Sequence, residues 1–183
     1  MTPTQLYCGG VPVPYVAAWS GEESIFLGTC PYARRTAICQ VQNRGVGKPK
    51  FGTPHMVRQR QAIALGLCDL CGKPLKTCTK VSLSQARPVP HAAQPMDVLQ
   101  VEPLLHKACA AISMRHCPSL KRQIADGELH VRQVFRHACQ FALYSAQGTF
   151  EATGERVKSV SHAKVQLIKW ANRDAAWLEG EKP

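Results

Sequence analysis

The chain has 183 residues, 45% of them hydrophobic and 7% aromatic, with 23 Lys and Arg against 12 Asp and Glu and a formal net charge of +11. That apolar share excludes a disordered chain and is enough for one compact domain or two small ones. No apolar run approaches a transmembrane span, since Pro12 and Pro14 interrupt the most apolar N-terminal stretch, and residues 1–33 carry no Lys or Arg and no signal-peptide pattern, so the nine cysteines are expected as reduced thiols in a cytoplasmic protein.

Val11 to Ser20 is rich in β-formers, but its prolines confine it to an edge or irregular strand. Ile25 to Leu27 and Ala37 to Val41 read as further short strands. Asn43 to Gly52, with three glycines and a proline among Arg44, Lys48 and Lys50, reads as a basic loop. Thr53-Pro54 predicts a helix start, an N-cap residue followed by proline at the first position, and Gly66 is a natural stop just past Leu65. Along this helix Val57, Ile63 and Ala64 are expected to face a core while Arg58, Gln59 and Gln61 face out, with Arg60 near the boundary. That pattern suits a helix contacting phosphates or bases, and equally an ordinary amphipathic support helix.

Leu75 to Leu83 reads as two short strands of a hairpin, and Ser84 to Gln100, holding Pro88, Pro90 and Pro95, as a long irregular excursion. A helix follows from about Pro103 to Arg115, breaks at Cys117-Pro118, and gives way to a second short helical stretch ending near Gly127. Leu129 to Ala138 and Phe141 to Tyr144 have β character, Val157 to Trp170 alternates less cleanly, and Asn172 caps a short last helix to Leu178. The expected organisation is a β-rich segment with a basic helix over 1–66, a zinc-binding module over 67–127, and a β/α segment over 128–183 that packs on the same domain.

The chemistry concentrates in Cys68-Asp69-Leu70-Cys71-Gly72, answered downstream by His106-Lys107-Ala108-Cys109. Two cysteines separated by two residues on a tight turn bring both thiolates to one side of the backbone, and a tetrahedral zinc needs four such donors. Gly72 accepts the positive φ that the turn requires. If the segment from Pro103 is helical, His106 and Cys109 share one face of its first turn. The ligand set is therefore Cys68, Cys71, His106 and Cys109, with Cys117 or Cys78 as replacements for one of them. A redox dithiol at Cys68 and Cys71 fits less well, because Gly72-Lys73-Pro74 prevents a helix from starting there. Cys8, Cys30, Cys39 and Cys139 sit in no histidine-bearing motif; Cys8, Cys30 and Cys39 could share a second metal site, but the long intervals between them favour buried thiols.

Charge follows the same region. Between Arg34 and Arg122 fifteen Lys and Arg face three acids, Asp69, Asp97 and Glu102. Such a block attracts phosphate backbones with a salt-dependent, largely sequence-blind affinity, and Arg44, Lys48, Lys50, Arg58, Arg60, Lys73 and Lys76 are the expected contacts to DNA or RNA. A solvated basic face is the plainer reading. Trp19, Trp170 and Trp177 are the residues that would anchor a protein partner instead, or simply fill a core.

The stretches Gly10 to Ser20, Phe51 to Ala62 (FGTPHMVRQRQA), Leu67 to Leu75, and Arg115-His116-Cys117-Pro118-Ser119-Leu120 together resemble an uncharacterised family of zinc-finger-like proteins found in actinobacteria and their phages. The resemblance spans most of the chain. It implies zinc binding at Cys68 and Cys71 and makes Cys109 and Cys117 credible ligands, but it brings no reaction. A two-cysteine knuckle near a hairpin and helix also occurs in the ββα-metal nucleases known as HNH enzymes, whose chemistry uses a histidine to activate water and further ligands for a metal at the scissile phosphate. Here His91 lacks an adjacent acid, no asparagine lies between Asn43 and Asn172, and Asp97 and Glu102 have no ligand spacing. The sequence thus predicts an α+β protein with a treble-clef-like zinc module flanked by short strands and helices, binding nucleic acid through a basic surface. An HNH-like nuclease and a zinc-stabilised protein-interaction module are the alternatives.

Overall fold

A computed structural model describes residues 4–91 and 94–180, with only the backbone course given between 89 and 97. In chain order the elements begin with β1 (Leu6–Cys8), β2 (Val11–Val13) and β3 (Ala17–Trp19), then a single 3-10 turn, Ser20–Glu22. Next come β4 (Ile25–Cys30), β5 (Arg35–Gln40), β6 (Pro49–Pro54) and α1 (Met56–Leu65). The middle of the chain gives β7 (Lys80–Ser84), β8 (Val89–His91), β9 (Gln94–Gln100), β10 (Leu105–His106), α2 (Lys107–His116) and α3 (Pro118–Ala125). Last are β11 (His130–Tyr144), α4 (Ala146–Thr153), β12 (Ser159–Arg173) and α5 (Ala175–Glu179). The class is mixed α+β, as the composition and patterning predict.

The main sheet runs β10–β7–β11–β12–β5–β4. Its spine is the antiparallel ribbon of β11 and β12, each 15 residues long, so the C-terminal strands are not short as expected. Register shifts at Val134/Arg136 and Phe141/Leu143 bend this ribbon, as extra residues in a ladder do. Beyond β11, β12 pairs in parallel with β5 at Val160 and Ala37, and antiparallel with β9 over Val165 to Leu167. The three predicted segments therefore contribute strands to one sheet. Pro88, Pro90 and Pro95 do not make Ser84 to Gln100 structureless: β8 and β9 form a hairpin within it.

Alternation explains which face is inside. In β12, Ser161, Ala163, Val165 and Leu167 are buried while His162, Lys164 and Gln166 are only partly covered. Val165 and Leu167 join Val81, Leu83, Val131, Val134, Leu105, Ala110 and Ala111 in the principal core, which also takes in Cys68, Leu70 and Leu75. The loop carrying Cys68 is thus packed onto the main core rather than tethered beside it.

Helix α1 departs most from expectation. Its N-cap is His55, whose Nδ1 accepts the Arg58 amide, and not Thr53, because Pro49–Pro54 forms β6 and pairs with β3. Arg58 and Arg60 are 3% and 0% exposed, and Gln59 is buried as well. Arg58 cannot be free to face solvent because its guanidinium makes a two-pronged bond to Glu22, with both N···O distances 2.6 Å. It also donates to the carbonyls of Tyr15 and Ala17. Arg60 donates to the carbonyls of Ser161 and Ile38. Gln59 donates to Val101 and Ala163 carbonyls and accepts from the Ala163 amide. The helix is a polar cross-link between the N-terminal loop, β5 and β12. The terminal helix is likewise capped by Asp174, accepting the Trp177 amide, rather than by Asn172. None of the described helices is long and apolar enough to cross a membrane.

Candidate metal centre

The first half of the centre is built by hydrogen bonds that the local sequence dictates. Gly66 ends α1 in the left-handed region at φ 62°, and its carbonyl accepts the Leu75 amide at 2.8 Å. Leu67 pairs with Pro74 across the turn, the Cys68 amide donates to the Lys73 carbonyl, and the Gly72 amide returns to the Cys68 carbonyl, the latter two at 2.8 Å. Gly72 sits at φ 68°, the conformation that closes the knuckle. The Asp69 amide donates to Leu104 and the Tyr15 amide to Leu70, so the knuckle is pinned on both sides.

The second half comes from the junction of β10 and α2. β10 pairs antiparallel with β7, His106 opposite Lys80, and His106 is the N-cap residue of α2. Cys109 follows in the first turn. The helix begins at Lys107, not at Pro103, since Leu105 and His106 are spent on the β pairing. One ligand atom each from Cys68, Cys71, His106 and Cys109 all lie within 4.8 Å of one another, and these four residues can hold a metal ion. Cys117 and Cys78 are not in the cluster: Cys117 caps α3, and Cys78 packs partly buried against the core.

The distances suit coordination. His106 Nδ1 is 3.5 Å from Cys71 Sγ and 3.8 Å from Cys109 Sγ. Metal–sulfur bonds of about 2.3 Å and a metal–nitrogen bond of about 2.0 Å at tetrahedral angles put neighbouring nitrogen and sulfur ligands roughly 3.5 Å apart. The imidazole is also oriented for this role, because its Nε2 lies 3.1 Å from the Pro74 carbonyl. A proton on Nε2 leaves the Nδ1 lone pair facing the sulfurs, the outer hydrogen bond typical of a ligating histidine. Pro74 contributes through backbone alone, so no side-chain signal in the sequence announces it.

Electrostatics distinguish the three thiols. The hydrogen bond from Cys109 holds the Cys68 thiol down at about 5 against the opposing effect of burial, helped by backbone N–H donors and by His106. Cys109 is held well above the ordinary thiol range, first by donating to Cys68 and then by burial. Burial pushes Cys71 up, and the neighbouring Cys68 adds to this. One thiolate is thus already favoured, and a cation bound between the sulfurs removes the reason for the other two to keep their protons. Beside them, burial and the negative charges of Cys68 and Glu102 push the Asp69 carboxyl up to about 8.

The predicted nucleic-acid contacts separate into two groups. Lys48, Lys50, Lys73 and Lys76 are exposed, Lys73 and Lys76 on and just after the knuckle, with Lys50 paired to Glu23. Arg44 is partly covered, donating to the Thr4 carbonyl and lying 5.2 Å from the Tyr15 ring centre. Arg58 and Arg60 do not belong with them, because both are buried structural cations and reach no surface. The side chains of His91 and Asp97, considered for nuclease chemistry, lie outside the described residues. Trp19 is buried, and Trp170 and Trp177 pack partly buried against the main core. No family model, curated protein or solved structure matches the chain.

Proposed function

We propose that the chain is a structural-zinc protein with a treble-clef-like centre that binds nucleic acid through exposed lysines around the knuckle. The observation that carries this reading is the convergence of Cys68, Cys71, His106 and Cys109 from a knuckle and a helix start. Knuckle, antiparallel pair of β7 and β10, and helix with the second ligand pair in its first turn is the chain order of a treble clef; the β8–β9 hairpin is inserted between the two strands of the pair. Three thiolates and an imidazole are a zinc set, and four protein ligands leave no position for a reacting water, which makes the metal structural. Membership of the zinc-finger-like family that the sequence resembles belongs to the same proposal.

The nucleic-acid part rests on the net charge of +11 and on the exposed Lys48, Lys73 and Lys76, the last two on and just after the knuckle. Metal removal loosens the turn that presents Lys73 and Lys76, so binding and metal content are coupled. Elemental analysis is expected to find one zinc per chain, lost in Cys68→Ser and in Cys109→Ser but retained in Cys117→Ser. Salt-titrated binding to single- and double-stranded DNA and RNA is expected to weaken steeply with salt. Each of Lys73→Gln and Lys76→Gln should lower the salt slope by about one, while sequence preference stays flat. Zinc-free protein purified without chelator sinks the first half of the proposal; salt-insensitive binding, or none at low salt, sinks the second.

A further inference from the structure

A cavity of about 520 Å³ opens between the β1–β2 hairpin, the knuckle, the segment leading into β10, and the junction of α2 with α3. Its volume lies within the range typical of small-molecule sites. The walls are mainly apolar: Val11 and Pro12 of the hairpin, Leu70 and Leu83 at the base, and Pro118 and Leu120 at the start of α3. It is distinct from the metal cluster, none of whose four ligands lines it.

Its lining lacks the cations that dominate the rest of the molecule. The chain has nearly two basic residues for each acid, yet among the described residues no Lys or Arg lines this cavity; two carboxyl groups do, Asp69 and Glu102, with His116 on the wall beside Cys117. Asp69 Oδ1 is closed off from solvent and accepts no hydrogen bond. Glu102 is exposed, with Oε2 held by the Ser84 hydroxyl at 2.9 Å. A shielded carboxyl oxygen without a donor is costly, and buried polar atoms of this kind ordinarily have a partner. Neither carboxylate is needed by the fold in the way Glu22 is, since neither has a cationic partner among the described ion pairs.

We propose that this cavity binds a small primary amine with an apolar body, whose ammonium group is held by Asp69 and Glu102 and whose hydrocarbon portion lies against Leu70, Leu83 and Leu120. The ammonium supplies a hydrogen-bond donor to the Asp69 carboxyl and the counter-charge to Glu102. Phe51, half exposed at the cavity wall, offers an aromatic face to the same cation or to a ring in the ligand.

The test uses the whole, metal-replete protein and two probes of equal shape, 4-phenylbutylamine and 4-phenylbutan-1-ol, titrated by calorimetry and by NMR shift mapping. The amine is expected to bind about tenfold or more tighter than the alcohol, with shifts at Asp69, Leu70, Leu83 and Leu120. Glu102→Gln and Asp69→Asn should each shrink that preference, and Leu120→Trp should abolish binding of both probes by filling the cavity. Metal content is measured in every variant; if Asp69→Asn loses metal, Glu102→Gln, which supplies no ligand atom, decides. Equal affinity for amine and alcohol, an amine preference untouched by Glu102→Gln, shifts mapping elsewhere, or no binding of either probe at millimolar concentration overturns the proposal. These results are independent of the nucleic-acid reading, which is read from lysine variants on polyanions.

Discussion

Around Glu22 a carboxylate is matched by Arg58, by the Trp19 and Asn43 amides and, at 3.8 Å, by His55, whereas around Cys68 three sulfurs and one imidazole nitrogen face one another at metal-ligand spacings. Both regions tie loops of low regularity to strands of the main sheet. The first does so with protein groups alone, every arm of Arg58 ending on an oxygen, and so it forms as the chain folds. The second brings together like groups, thiols that share protons and repel as thiolates, and it needs a cation to become as firm. The difference teaches that one region is completed by groups of the chain itself, while the other is an arrangement that a metal ion could complete.

The largest effect should separate them outright. Stripping metal with a chelator, or Cys68→Ser, is expected to loosen the knuckle and the β10–α2 junction, since structural zinc supplies on the order of 10 kcal/mol of folding free energy in small domains. Amide exchange should then rise over residues 67–75 and 105–116 while the Glu22 region keeps its protection; uniform loss of protection across the chain would merge the two regions into one cooperative unit.

Next in size, Arg58→Ala leaves the Glu22 carboxylate buried beside His55 without its cation and is expected to cost about 3–5 kcal/mol in chemical denaturation. The double variant Glu22→Gln/Arg58→Met should cost clearly less than Arg58→Ala, because no unpaired charge remains. Equal losses would mean that Arg58 acts mainly through its bonds to the Tyr15 and Ala17 carbonyls.

Acid acts on the same region in two stages. Burial holds His55 below the ordinary imidazole range, so its contribution is present above about pH 6.5 and is lost as pH falls further, when the unfolded chain takes up a proton that the folded one refuses. Burial works against the Glu22 charge, but Arg58 overcomes it and holds that carboxyl below its usual range. Its contribution is therefore complete above about pH 4.3 and declines only as pH drops through the lower folded value. Thermal melting against pH should fall in that order, and the second stage should disappear in Glu22→Gln/Arg58→Met.

The smallest effect is at the hinge between the regions. Gly66→Ala meets no neighbour but must hold φ near 62°, so a loss of about 1 kcal/mol is expected with metal still bound. A much larger loss would show that the αL cap also positions Cys68.

The cluster of Cys68, Cys71, His106 and Cys109 was legible because its signals are local. Two residues between Cys68 and Cys71, Gly72 after them, and two residues between His106 and Cys109 set backbone geometry within a turn, whatever lies elsewhere. The proline at Pro118 and the glycine at Gly66 marked helix boundaries for the same reason. Arg58 and Arg60 were misread because periodicity reports polarity, not partners. Glu22 lies 36 residues from Arg58, and the Ser161 carbonyl 101 residues from Arg60. Thr53-Pro54 carried a helix-start signal that lost to strand pairing with Ala17.

By itself, then, the sequence determined the α+β class, the knuckle and the four residues that can hold a metal ion, since each follows from torsional preference and short-range spacing. Only the tertiary structure decided that the basic helix is an interior cross-link, that β11 and β12 form one long ribbon, that Pro74 orients His106, and that Asp69 and Glu102 meet in an apolar cavity. Those outcomes depend on hydrogen bonds and packing between distant segments, whose free energy is set by which groups meet once the chain has closed on itself.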